Sequence, residues 1–263
     1  MLAFNHLGKL GRLGNQMFQY ASLRGIAARR GYDFGIPPSA FADIWQDHQL
    51  FEVFELPHLP QKNIKMLDNG YAPVAKERSF EFDELLFNQC PNDITIFGYF
   101  QSEKYFNHIA DSIREDFTFR SHILGPCVDM MSGVENPISL HVRRTDYTTN
   151  PNHTALSIKY YEKALKEFPE DSTVIIFTDD AKWCQQQELF APDRFMIAEN
   201  NPNSVDMCLM SLCKGHIIAN SSFSWWGAWL SRSQKVVAPS VWFGPQNKDK
   251  STKDLIPIRW IVI

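Results

Sequence analysis

Residues 138–147 read ISLHVRRTDY. Ile138, Leu140 and Val142 alternate with Ser139, His141 and Arg143, the two-residue period of a short strand. That strand then releases two adjacent arginines and an aspartate at one end. Neighbours on a strand face opposite sides, so Arg143 and Arg144 divide two tasks, one facing a ligand and the other holding the loop. A guanidinium presents a planar fork of N–H donors suited to phosphate or carboxylate. The pair follows an apolar strand directly, which sets it apart from a solvated charge run. The motif asks for an anion.

Outward from this stretch the chain alternates strand and helix. Residues 157–168 predict a helix with Ser157 as N-cap and Ile158, Tyr161, Leu165 and Phe168 as its apolar stripe. TVIIF at 173–177 is too short and β-branched for a helix and apolar enough to be buried on both faces. AKWCQQQE then reads as helix, Ser204 as the cap of VDMCLMSLC, HIIAN as strand, FSWWGAWLS as helix and KVVAP as strand. Such alternation implies βαβ units, a mostly parallel sheet and an α/β fold whose ligands bind beyond the carboxyl ends of the strands. Three polar segments gather at that rim: HVRRTD, FTDD at 177–180 and ANSS at 219–222.

The first half is less regular. GRLGNQ at 11–16 is a glycine turn leading into a helix from Gln16 to about Arg30, followed by an aromatic and proline-rich stretch near 37–60. ITIF at 94–97 predicts a strand, and Phe106, Ile109, Ile113 and Phe117 predict one helix after Ser102. The loop-like residues 120–136, with Gly125-Pro126 and Gly133, make a hinge between two lobes, 1–130 and 131–263, with a cleft between them.

Composition excludes several classes. With 44% hydrophobic and 21% charged residues the chain is globular rather than disordered. A net charge of −4 argues against a general grip on nucleic acid and makes any anion site local. Five cysteines without a CxxC pair suit a reduced, cytoplasmic protein with neither a disulfide framework nor a zinc site. MLAFNHLGKLGRLG is interrupted by polar residues, and no run approaches the ~18 apolar residues of a membrane span.

GRLGNQ lacks both the P-loop ending and the dinucleotide GxGxxG spacing. Its glycines nevertheless expose backbone N–H groups, with amide donors on Asn15 and Gln16. Ser221 and Ser222, between a strand and a helix, read either as N-caps or as phosphate ligands. Trp225, Trp226 and Trp229 read as packing. Asp179 and Asp180 are adjacent and point in different directions, which disfavours a DxD-type metal pair. Asp206, in a first helical turn, suits the helix dipole and could also accept from a guanine. His153 and the other histidines show no metal-ligand spacing, and no GxSxG elbow is present.

Three blocks, GRLGNQMFQYA from residue 11, HVRRTDY from 141 and IIANSSFSWWGAWL from 217, resemble in order the signatures of glycosyltransferase family 11, the α-1,2-fucosyltransferases. The middle block is also similar to α-1,6- and protein O-fucosyltransferases. The resemblance covers almost the whole chain. It implies a GT-B fold of two facing Rossmann-like lobes: 1–130 on the acceptor side with the GRLGNQ loop, and 131–263 binding GDP-β-L-fucose, the last residues being free to pack back on the first lobe. It further implies inverting, metal-independent transfer of L-fucose to the 2-hydroxyl of a terminal galactoside, with no cofactor. Another GDP-sugar, another linkage or a non-catalytic nucleotide-sugar or glycan binder are the competing expectations.

Carried over residue by residue, the resemblance makes Arg143 the clamp on the β-phosphate and Arg144 the support of its loop. His141 would lie near the nucleoside, Asp206 would read guanine, and Ser221 and Ser222 would bind phosphate. Gly14, Asn15 and Gln16 would reach the fucosyl-phosphate region, and Asp179 and Asp180 would lie at the nucleotide-facing strand end. A related group places a glutamate a few residues beyond the arginines, where this chain has Asn150. That leaves Asp146 as either base or arginine partner, and the donor phosphate as a third proton acceptor. The expected acceptor is a galactoside-containing oligosaccharide or lipid-linked glycan at the cytoplasmic side, with at most peripheral membrane contact.

Overall fold

The computed structural model describes residues 1–38 and 49–263 as two compact units, Met1–Arg120 with Ser251–Pro257 and Ser121–Lys250 with Ile258–Ile263. Part of the aromatic and proline-rich stretch, 39–48, lies outside the described residues.

The first unit runs β1 (Leu2–Ala3), α1 (Leu13–Arg30), β2 (Phe34–Gly35), α2 (Leu50–Val53), β3 (Val74–Lys76), α3 (Glu84–Gln89), β4 (Ile94–Phe97) and α4 (Ala110–Asp116). Its sheet is parallel in the order β2-β1-β4-β3. β1 is short because Asn5 and His6 end the apolar run. Helix α1 buries Met17, Phe18, Tyr20, Ala21 and Leu23 and stops at Gly31, whose φ of 67° belongs to the left-handed region that glycine tolerates. It starts at Leu13, ahead of the expected Gln16, because the Arg12 carbonyl already accepts from the N–H groups of Asn15 and Gln16. The single helix expected after Ser102 is broken into two 3₁₀ turns, Glu103–Tyr105 and Asn107–Ile109, before α4. Phe106, at φ −133°, leaves the helical region so that it and Tyr105 can be buried.

The second unit runs α5 (Ser121–Met131), β5 (Ile138–Val142), α6 (Ile158–Leu165), β6 (Val174–Thr178), α7 (Ala181–Gln185), β7 (Phe195–Ala198), α8 (Asn203–Leu212), β8 (Gly215–Ile217), α9 (Ser222–Leu230), β9 (Val236–Ala238) and β10 (Ile261–Val262). All six strands are parallel, in the order β10-β9-β8-β5-β6-β7. From β5 the chain builds outward through β6 and β7, then returns to the other side of β5 with β8. Strand order therefore reverses between β5 and β8, the switch point where open α/β sheets form their ligand crevice.

Several sequence expectations change here. Residues 121–131 form α5 instead of a hinge loop, with Pro126 inside the helix. Burial of Ile123 and Cys127, the latter with its thiol against the Val205 carbonyl at 3.8 Å, outweighs the hydrogen bond that Pro126 forgoes. The join between units accordingly falls at Arg120/Ser121, ahead of residue 130. Residues 251–257 group with the first unit, whereas the chain end forms β10 in the second. Strands β7 and β10 were not expected; Met196 and Val262 are exposed, so neither segment carries a clean alternation of buried apolar residues. Ser204 lies inside α8, capped at Pro202, and Ser157 makes no side-chain cap bond.

The tryptophans are scaffold. Trp225, Trp226 and Trp229 are buried, Trp225 stacks on Trp229 and also meets Trp260. All five cysteines are free and buried. Among the described residues no helix is long and apolar enough to cross a membrane.

Candidate active site

At the carboxyl ends of β5 and β6 the two arginines separate as alternation requires. The Arg143 guanidinium meets Asp146 at 2.6 Å and Asp179 at 3.1 Å. Arg144 turns the other way, 4.0 Å above the Trp183 ring and 3.5 Å from Asp180. Asp179 organises both: it accepts from the Arg144 backbone N–H at 2.9 Å and from the Thr145 hydroxyl at 2.5 Å while pairing with Arg143. Asp180 is the N-cap of α7, accepting from the Trp183 N–H at 3.1 Å. Both aspartates thus fasten the arginine loop.

Beside them, β8 delivers its own loop. Ser221 caps α9, its hydroxyl accepting from the Phe223 N–H at 3.3 Å, and Ser222 opens the helix, where first-turn N–H groups lack intrahelical partners. Asn220, buried beneath, donates to the carbonyls of Thr154 and Trp242 at 2.9 Å each. The two loops touch where the Tyr147 hydroxyl donates to the Asn220 carbonyl at 3.3 Å. A positively charged side chain and the positive end of a helix dipole thereby share one rim, an arrangement that favours an anionic group.

His141 is enclosed. Its Nδ1 lies 2.8 Å from the Ser224 hydroxyl and its ring packs against Phe223. Burial, reinforced by the Arg143 charge, lowers its pKa to about 4 against the opposing pull of Asp179, so the imidazole is neutral at pH 7. The structure places it between β5 and α9 as a brace. Asp206 stands in the first turn of α8, where the Asn201 amide donates to it at 3.0 Å. Burial raises its pKa to about 6, the Asn201 bond pulling the other way.

In the first unit, Gln16 is fully buried and its side-chain oxygen accepts from the Gln49 N–H at 2.9 Å. Asn15 accepts from the Gln101 amide at 2.7 Å and is partly exposed; Gly14 is buried within α1. Gly11, at φ 79°, is required twice over, because a Cβ there would also collide with the Asn15 amide.

Sequence reasoning missed Trp183, Thr145, Tyr147 and Asn201 as parts of the site. Trp183 had a usable signal: an aromatic residue just after FTDD at the start of a helix. Tyr147 and Thr145 lie inside the motif itself but were overshadowed by its charges. Asp146 contacts Arg143 at 2.6 Å, a pairing compatible with either of its expected roles.

Known proteins supply the remaining context. A solved fucosyltransferase, NodZ from Bradyrhizobium, shares the fold with a TM-score of 0.57 at 15% identity, covering 93% of this chain and 96% of its own. It places this chain in the GT-B architecture. The O-antigen biosynthesis glycosyltransferase WbnK of Escherichia coli is 36% identical over 209 residues, 72% of this chain and 68% of WbnK. An alpha-1,2-colitosyltransferase of Escherichia coli is 28% identical over 96% of both chains. The family model described as Glycosyl transferase family 11 matches residues 3–263, nearly the whole chain. With its polar loops at the β5/β8 switch point and these relatives, the chain belongs to glycosyltransferase family 11.

Proposed function

We propose that this enzyme transfers L-fucose from GDP-β-L-fucose to the 2-hydroxyl of a terminal galactoside with inversion, forming an α-1,2 linkage. The observation that carries this reading is Arg143, held by two carboxylates at the β5/β8 switch point beside the N-terminus of α9. Cleavage of the anomeric C–O bond puts positive charge on the sugar and negative charge on departing GDP. A fixed guanidinium and the N–H groups of the first turn of α9 stabilise that charge more in the transition state than in the ground state.

In this reading Arg143 grips the β-phosphate, Ser221 and Ser222 contribute hydroxyl and backbone donors, and Asp206 accepts from the guanine. Arg144, Asp179, Asp180 and His141 keep the loops in place, and Gly14, Asn15 and Gln16 belong to the sugar-phosphate side. Asp146 is the exposed partner of Arg143, and Asp179 keeps that arginine aimed. Transfer in this reading needs no cofactor or metal, the departing diphosphate being stabilised by Arg143 and by the first-turn N–H groups of α9. The acceptor in this reading is a galactoside-bearing oligosaccharide or lipid-linked glycan; the relative WbnK is named for O-antigen biosynthesis.

A second donor is favoured by one observation, the name of the relative that spans 96% of both chains, an alpha-1,2-colitosyltransferase. Colitose is L-fucose without its 3-hydroxyl, so GDP-colitose would present the same diphosphate and base. Incubation with GDP-fucose, GDP-colitose or GDP-mannose, a β-galactoside panel and excess EDTA, followed by mass analysis, separates the readings. Fucosyl transfer unaffected by EDTA is expected. Exclusive transfer of colitose or mannose would replace the donor, and transfer of none would defeat the reading.

A further inference from the structure

Resting on that reading of the reaction, we infer that His153 is the general base, its imidazole taking the proton of the acceptor hydroxyl as that oxygen attacks the anomeric carbon.

The ring is held in place without using its nitrogens. It lies parallel to Tyr147, with centroids 4.3 Å apart and planes 7° from coincident. Tyr147 is fixed in turn by its bond to the Asn220 carbonyl and has the Arg143 guanidinium 5.5 Å from its ring. The backbone around His153 is tied on several sides: His153 N–H donates to Asn150, Gly244 N–H to Asn152, Gln246 N–H to Pro151 and the Thr154 hydroxyl to Phe243. Gly244 packs so closely that a Cβ there would come 2.5 Å from the carbonyl oxygens of both Pro151 and His153. Among the described residues, neither ring nitrogen of His153 has a hydrogen-bond partner, and the side chain is only partly covered. An ordered imidazole with a free lone pair is the form a base requires.

The surroundings keep it unprotonated at neutral pH. Partial burial lowers its pKa from 6.5; Asp146 opposes this, while Arg143 and Lys250 add to it. These groups and Tyr147 are the titratable neighbours that face it. Asp146 is worse placed for the same work. It contacts Arg143 at 2.6 Å, so its charge is engaged by the guanidinium, whereas the ring nitrogens of His153 are not. His153 stacks on Tyr147 instead of on the guanidinium.

The step balances. The acceptor O–H bond breaks and its proton passes to a ring nitrogen of His153, while the oxygen's electron pair forms the bond to the anomeric carbon. The C–O bond to the β-phosphate breaks with its electrons remaining on GDP, and His153 then returns the proton to water.

His153→Gln keeps a polar side chain that cannot take a proton at this pH. We expect kcat to fall by about 10²- to 10⁴-fold, with GDP affinity and thermal unfolding unchanged. The wild-type kcat should decline at low pH on a limb with its midpoint below 6.5; the variant should lack that limb, and added imidazole should restore part of the rate to His153→Gly. His153→Asn repeats the measurement should the glutamine variant unfold. Wild-type turnover in these variants, or an acid limb that survives them, overturns the assignment alone. A wild-type enzyme that transfers from no GDP-sugar overturns the transfer reading and this assignment with it.

Discussion

Asp206→Asn should make the fold more stable and donor binding weaker. The carboxyl has a pKa of about 6 against an ordinary 3.8, burial being the main cause. A shift of about two units corresponds to roughly 3 kcal/mol, and solvent reaching this partly covered group reduces the realisable part to about 1–2 kcal/mol. The helix dipole works in the opposite direction but contributes only about 0.3–1 kcal/mol in a first turn, so burial prevails. Below pH 3.8 the group is protonated in both folded and unfolded chains and costs nothing. Between 3.8 and 6 the unfolded chain ionises first and stability falls; above 6 the full cost remains. Urea unfolding should therefore show the asparagine variant about 1–2 kcal/mol more stable than wild type at pH 8, with the difference vanishing towards pH 4. Titration calorimetry should show GDP binding weakened about thirtyfold, since Asn offers one acceptor where guanine presents two donors and a mismatched one would cost ~2 kcal/mol. A variant less stable at pH 8, or a stability difference flat with pH, would refute the burial argument. Unchanged GDP affinity would refute the role in reading guanine.

Other changes test the donor side and the fold. Arg143→Lys keeps the charge but loses the fork, so kcat should fall on the order of a hundredfold while unfolding is unaffected; activity within a few-fold of wild type would remove Arg143 from the leaving-group role. Asp179→Ala strips the acceptor shared by Arg143, Arg144 and Thr145, and should lower stability by about 2–3 kcal/mol and turnover at least tenfold, measured by thermal melts and initial rates; loss of rate without loss of stability would assign it to the donor instead. Gly25→Ala places a Cβ against the Tyr105 carbonyl and should destabilise the first unit by about 1–3 kcal/mol in urea titrations.

The fold of the second unit was legible because its strands are buried on both faces and read as apolar runs between helices. Ile138–Val142 and Val174–Thr178 show this, every residue but Thr178 being buried. What escaped were segments whose structure depends on distant partners. β7 and β10 are short edge strands with exposed Met196 and Val262, and α5 carries a Gly-Pro pair that local rules read as a turn. The site followed the same division. Arg143, Ser221 and Asp206 stood out because their chemistry is visible in residue type and position relative to a strand or helix. Which carboxylate serves which arginine was not visible: Asp179 and Asp180 are neighbours in sequence, yet one braces the loop of β5 and the other caps α7. His153 carries no metal-ligand spacing that would mark it in the sequence; its setting is made by Tyr147 and by Gly244, far along the chain.

The way Arg143 is held decides which of its contacts can yield to a donor. Two carboxylates share one guanidinium, so its charge is balanced by groups of the same sign as a diphosphate. The two are unequal. Asp146 is 53% exposed, whereas Asp179 is 18% exposed. Asp179 is also tied to the Arg144 backbone and the Thr145 hydroxyl. Releasing Asp146 exchanges an exposed ion pair, worth about 0–1 kcal/mol, for hydration of a surface carboxylate. Releasing Asp179 would strand a covered charge and break two further hydrogen bonds, at several times that cost. A phosphate therefore meets least resistance on the Asp146 side of the guanidinium while Asp179 keeps the arginine aimed. Asp146→Asn should consequently perturb donor affinity far less than Asp179→Ala, and a reversed order in GDP titrations would mean that the exposed carboxylate, and not the covered one, sets the position of the clamp.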